Sequence, residues 1–154
     1  MPPALARAAL AIALLFVLGT AACGSGSEPL TVDEYREQAD EICRVSAAAL
    51  GEISDPQGLR DIVPALTQAS PILETLADDL EGIDAPDEFA ESHDEVIALL
   101  REQIEITIDA VARIEDGEPL GSIIEQISPR LEQIEDATDA TATELGLTVC
   151  GRDA

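Results

Sequence analysis

Leu30-Thr31-Val32-Asp33-Glu34-Tyr35 opens a stretch, running on to Ile53, whose reading decides the fold. Thr31 is placed to cap the amide three residues on, Glu34 to reach back to the Thr31 amide, and Leu30 to pack against Tyr35 as a hydrophobic staple. Beyond that start, Tyr35, Ala39, Ile42, Cys43, Ser46, Ala49, Leu50 and Ile53 recur at helical spacing. A first helix to about Ile53 is the expectation.

The same period continues down the chain. Asp55-Pro56 supplies a cap and a first-turn proline for a second helix, with Leu59, Ile62, Val63, Leu66, Leu73, Leu76, Ala77 and Leu80 on its apolar stripe. Pro64 and Pro71 lie inside that stripe, so a kink is expected, or a break at Ser70-Pro71 with serine capping a new start. Gly82 ends the segment and Pro86 opens a third, lined by Phe89, His93, Val96, Ile97, Leu100, Ile104, Ile108, Val111 and Ile114 and stopping at Asp116-Gly117. Pro119 opens a fourth, lined by Leu120, Ile123, Ile124, Ile127, Leu131, Ile134, Thr138, Thr141 and Leu145, interrupted at Ser128-Pro129 and ended by Gly146. Spans of roughly 22 to 30 residues come to about 33–45 Å each. Similar lengths and short connections favour an all-α, antiparallel four-helix up-down bundle. A short extended C-terminal tail follows it, and no stretch reads as a sheet.

Charge narrows the function. The chain has 154 residues, with 32 Asp and Glu against 8 positive side chains, all of them Arg, and a formal charge of −24. The length suits one domain. Nucleic-acid binding is excluded, because a phosphate surface needs clustered cations and these Arg are scattered singly. A hydrophobic content of 46% is too high for a disordered acidic tail.

The first residues read as an address. Arg7 is followed by the uncharged apolar run Ala8 to Leu18, too short for a stable membrane span, then by Gly19-Thr20-Ala21-Ala22 and Cys23. That order resembles a bacterial lipobox, in which the cysteine thiol takes a diacylglyceryl group and cleavage makes it the first residue; Thr20 stands where lipoboxes prefer Leu. The other reading is an ordinary A-x-A type cleavage site, which leaves Cys23 free for a disulfide. Gly24-Ser25-Gly26-Ser27 fits a flexible tether. The expected organisation is a signal peptide over 1–22, lipidated Cys23 and tether over 23–30, and the helical domain over 31–154. Cleavage leaves seven Arg against 32 acids, a charge of −25. Anionic headgroups repel such a body over a Debye length of about 8–10 Å, so the lipid anchor holds it off the membrane surface.

Export puts Cys43 and Cys150 in an oxidising compartment, where an even pair is usually a disulfide. In an up-down bundle the end of the fourth helix lies level with the start of the first. Cys43 then stands about eleven residues, roughly 17 Å, up that helix. The tail from Gly146 to Cys150 covers about 13–17 Å, enough to reach it. A redox or metal pair is the alternative, but there is no C-x-x-C spacing and no neighbouring Lys or His to lower a thiol pKa.

Candidate chemistry is sparse. His93, the one histidine, stands with Phe89 and Val96 on one face and reads as a residue at the core boundary; a metal ligand paired with Glu88 is the other reading. Asp78, Asp79, Glu81, Asp84, Asp87 and Glu88 crowd the connection between the second and third helices, but EF-hand order is absent and a solvated turn is expected. No nucleophile motif, phosphate loop or dinucleotide fingerprint is present, so no catalytic residue, metal site or cofactor is expected.

Tyr35 with Ala39-Asp40-Glu41-Ile42-Cys43, the Leu-rich run from Leu76 to Pro86, and the closing Leu145-Gly146-Leu147-Thr148-Val149-Cys150-Gly151 resemble small lipoproteins of high-GC Gram-positive (actinobacterial) bacteria, a group without assigned activity. The resemblance implies a lipid-anchored helical domain with a terminal disulfide and carries over no catalytic residue. The expectation is a non-enzymatic lipoprotein on the outer face of the cell membrane that contacts another envelope protein, with Leu99 and Ile106 as an apolar strip outside the main stripe. The alternative is a binding module, taking a small apolar ligand between helices splayed at Pro64, Pro71 and Pro129, or divalent cations on the acidic surface.

Overall fold

The computed structural model describes residues 30–151. The signal peptide, Cys23 and the tether up to residue 29 lie outside the described residues, as do residues 152–154. Four helices follow one another: α1 (Val32–Gly51), α2 (Leu59–Glu81), α3 (Ala90–Glu115) and α4 (Leu120–Leu145). They form an up-down bundle in which α1 packs on α2, α2 on α3 and α3 on α4. The seam between α1 and α4 is made chiefly by the chain that follows α4.

α1 starts as its sequence dictates. Thr31 and Glu34 form the capping box, the Glu34 carboxylate accepting the Thr31 amide at 3.0 Å and its hydroxyl at 2.6 Å. Those bonds hold the Glu34 carboxyl below the usual range. Leu30 packs against the core and donates its amide to the Asp84 carbonyl, tying the head of α1 to the α2–α3 connection.

α2 and α3 begin later than Asp55-Pro56 and Pro86 suggest. Gly58 is extended ahead of α2 and caps nothing with a side chain, while Asp61, inside the first turn, reaches back to accept the amide of Gln57 at 3.1 Å and fixes the chain as it enters the helix. Before α3, Phe89 bonds back to the Pro86 carbonyl in a separate turn, and α bonding sets in only with His93 to Phe89. The expected break at Ser70-Pro71 does not occur: α2 runs through Pro64 and Pro71, and α4 through Pro129. Ser70 turns its hydroxyl back to the Leu66 carbonyl at 2.9 Å and caps nothing forward. Thr67, Gln68 and Thr75 donate one turn back in the same way, at 2.8–3.0 Å. These side chains supply donors in the region where each proline removes one.

The largest cluster of buried side chains lies at one end, with Ile104, Ala110, Ile123 and Ile134 buried along the rest of α3 and α4. Tyr35, Ala39 and Cys43 of α1 meet Leu76 and Leu80 of α2, Val96 and Ile97 of α3 and Leu145 of α4 in one cluster. Among the described residues, the buried side chains of α2 belong to its C-terminal half, Leu76, Ala77 and Leu80. Two isoleucines expected in the core are instead exposed, Ile108 and Ile124, both at 46%. Ile124 lies eighteen residues, five turns, from Ala142, which is 1% exposed on the same face. One helix face is therefore covered at the packed end and bare at the other. Leu99 and Ile106, expected as an outlying strip, are half-buried.

Candidate functional site

The packed end holds every described side chain that the sequence singles out for chemistry, apart from the acidic turn. Three α1 residues, Arg36, Asp40 and Cys43, fall at i, i+4 and i+7 and so share one face of that helix. Each grips a successive part of the chain leaving α4.

Arg36 takes the helix end. Gly146 closes α4 at φ +72°, with its amide bonded to the Thr143 carbonyl and the Leu147 amide to that of Ala142. The Leu145 carbonyl, left without an intrahelical donor, accepts Arg36 Nε–H at 2.8 Å. The guanidinium also stacks over the Phe89 ring, 5.4 Å from its centroid.

Asp40 takes the tail itself. Its carboxylate accepts the Thr148 amide at 2.9 Å, the Thr148 hydroxyl at 2.7 Å and the Val149 amide at 2.9 Å. Two consecutive amides of a bent tail with no ladder partner thus find their acceptor in one side chain. Cys43 completes the clasp with a disulfide to Cys150, Cα to Cα 5.2 Å, closing a separation of 107 residues. Leu147 and Val149 pack against the core from the same tail.

Beside the clasp lies His93, buried at 5% exposure and not at a core boundary. Its Nδ1 is 3.0 Å from the Tyr35 hydroxyl, and the Leu80 carbonyl is its backbone partner. A tyrosine hydroxyl can donate or accept, so the direction of the Tyr35–His93 bond follows the imidazole tautomer. One imidazole therefore joins α1, α2 and α3. Burial pushes the His93 pKa down, against the nearby Asp94 charge and the Leu80 bond, and pushes Tyr35 up to about 12. Neutral His93 bonded to neutral Tyr35, both shielded from solvent, is arranged to hold helices together.

The acidic connection behaves as a solvated turn whose nearest cation is Arg101: Asp78 and Glu81 both bind that guanidinium. Among the described residues no three His, Cys, Asp or Glu side chains converge so as to hold a metal ion. None of the described helices is long and apolar enough to cross a membrane.

No family model, curated protein or solved structure matches this chain. The geometry alone carries the reading. Sequence reasoning found Cys43, Cys150 and the Gly146 stop but missed Arg36 and Asp40. Their signal was the 36-40-43 spacing, which puts two complementary polar groups on the face that a disulfide to the tail must occupy.

Proposed function

We propose that this protein is a non-enzymatic, lipid-anchored extracytoplasmic protein of the bacterial cell envelope, acting as an interaction module. The observation that carries the reading is the Cys43–Cys150 bridge: it ties the tail to the first helix, and such bonds persist in oxidising compartments. Leu30, where the tether of the sequence reading arrives, sits at that same covalently closed end. An anchor on Cys23 attaches the domain by its best-packed end and leaves the opposite end, with the α1–α2 and α3–α4 connections, facing outward.

Intact mass of protein extracted from membranes, with and without reduction, tests this. The expected mass is that of residues 23–154 plus a diacylglyceryl group, gaining two hydrogens on reduction. A soluble, unlipidated species overturns the anchor and makes a secreted binding protein the better account.

A further inference from the structure

We propose that the groove between α2 and α3 docks a cationic segment of a partner protein, taking the aliphatic stem of one Arg or Lys side chain. The proposal rests on the reading of the domain as an interaction module and names its surface. The groove has a volume of about 270 Å³ and is lined by Glu74 and Asp78 of α2 and by Arg101, Ile104, Glu105 and Ile108 of α3. Ile104, 5% exposed, forms the floor, and Ile108, one turn on, is a wall left 46% exposed. The charges around this apolar surface are unequal. Arg101 is engaged by Asp78 and Glu81, whereas no hydrogen bond or ion pair from a described residue reaches Glu74 or Glu105.

An apolar floor beneath two uncompensated carboxylates matches a side chain with an apolar stem and a positive head. It matches little else of relevance. A second copy carries the same charge of −24 and is repelled, and so are anionic lipids. The larger groove along α1 fits less well, because Glu34 and Glu41 in its lining are already bonded to Thr31 and Arg44, which leaves Glu37 as its one carboxylate without such a partner, against two in the α2–α3 groove. Charge complementarity therefore selects the α2–α3 groove and a basic partner.

The test is amide NMR titration of the protein with a short peptide alternating Arg and Leu, at physiological salt. Shifts confined to the facing turns of α2 and α3 are expected. Ile108→Ser, or Glu74→Gln with Glu105→Gln, should weaken binding about tenfold. Glu132→Gln with Glu144→Gln, an equal charge change on exposed positions of α4, should leave it within about twofold. The same spectra report whether each variant is folded. Shifts spread over the whole acidic surface, equal losses in the two charge pairs, absence of binding, or self-association through Ile108 would each overturn the proposal. An unlipidated protein that still gives groove-confined shifts overturns the anchor and leaves the groove standing.

Discussion

His93 shows how much one buried group can govern. Its neutral form fits the buried site because burial penalises the imidazolium; the Tyr35 hydroxyl can donate to or accept from Nδ1, so the cost of protonation is that of a buried charge. The folded pKa lies below the ordinary value near 6.5, so below about pH 6.5 the unfolded chain binds the proton more readily and stability falls as pH drops toward the folded pKa. The contribution is fully present above that window and is lost by at most about 1.4 kcal/mol per pH unit within it. Unfolding midpoints at pH 7.5 and 5.5 should therefore differ more in the wild type than in His93→Gln, which keeps polar groups but does not titrate. Equal pH sensitivity in both would remove His93 from the account. The sequence pointed to the face His93 shares with Phe89 and Val96, but its burial depends on Tyr35, 58 residues earlier, which no local pattern reveals. Gly146 is a second single-residue constraint, and it was legible as a helix stop. A Cβ there would sit 2.7 Å from Arg36 Nε, whereas at Gly117, φ +89°, it would meet nothing within 4 Å. Gly117→Ala should thus cost only the left-handed backbone penalty, about 1–2 kcal/mol, and Gly146→Ala more, because Arg36 must also give up its place; denaturant midpoints compare them directly.

Among elements, helices declared themselves and the tail did not. The capping box, the 3.6-residue stripes and the glycine ends are local signals, and α1 and α4 fall close to where they predict. The starts of α2 and α3 shifted because Asp61 ties back the Gln57 amide ahead of the helix and because Pro86 to Phe89 make their own turn. Prolines read as kinks or breaks from local rules alone, yet α2 stays continuous through them, packed on α1 and α3 on either side. The tail has no periodicity of its own; its conformation is written on α1, in Asp40. Asp40→Ala leaves the Thr148 and Val149 amides without their acceptor and should destabilise the fold by about 1–3 kcal/mol. Cys150→Ser should cost about 4–5 kcal/mol in the chain-entropy model, given the length of the loop it opens. Once the bridge is gone the tail can leave, and Asp40 then matters less. The double variant should accordingly lose clearly less than the sum of the two, as chemical denaturation of all four proteins will show. Additive losses would mean that the carboxylate and the disulfide hold the tail independently.

At the scale of the whole molecule, the composition sets two forces against each other. With 32 acids and 8 Arg, most carboxylates face others of the same sign. The described Arg side chains Arg44, Arg101, Arg113 and Arg130 each bind neighbouring carboxylates at the surface, which relieves part of the crowding. Exposed pairs of this kind contribute little each, and salt screens them. Salt screens the repulsion too, and repulsion involves far more pairs, so its relief should win. Thermal midpoints should therefore rise steadily as sodium chloride is raised from low ionic strength toward the molar range. The exposed ion pairs would have to dominate for the trend to reverse. The packed end is held by apolar contact, the buried Tyr35–His93 bond and a covalent bridge, none of which salt weakens. At the opposite end Ile123 and Ala110 are buried between α3 and α4, but among the described residues the N-terminal half of α2 buries no side chain completely and has only partial burial to set against its charge. Amide exchange at low salt should consequently be fastest at the start of α2, and salt should slow it there more than around Tyr35 and Leu145. Uniform slowing along the chain would show that the repulsion acts on the bundle as one unit and that the asymmetry in packing has no energetic counterpart.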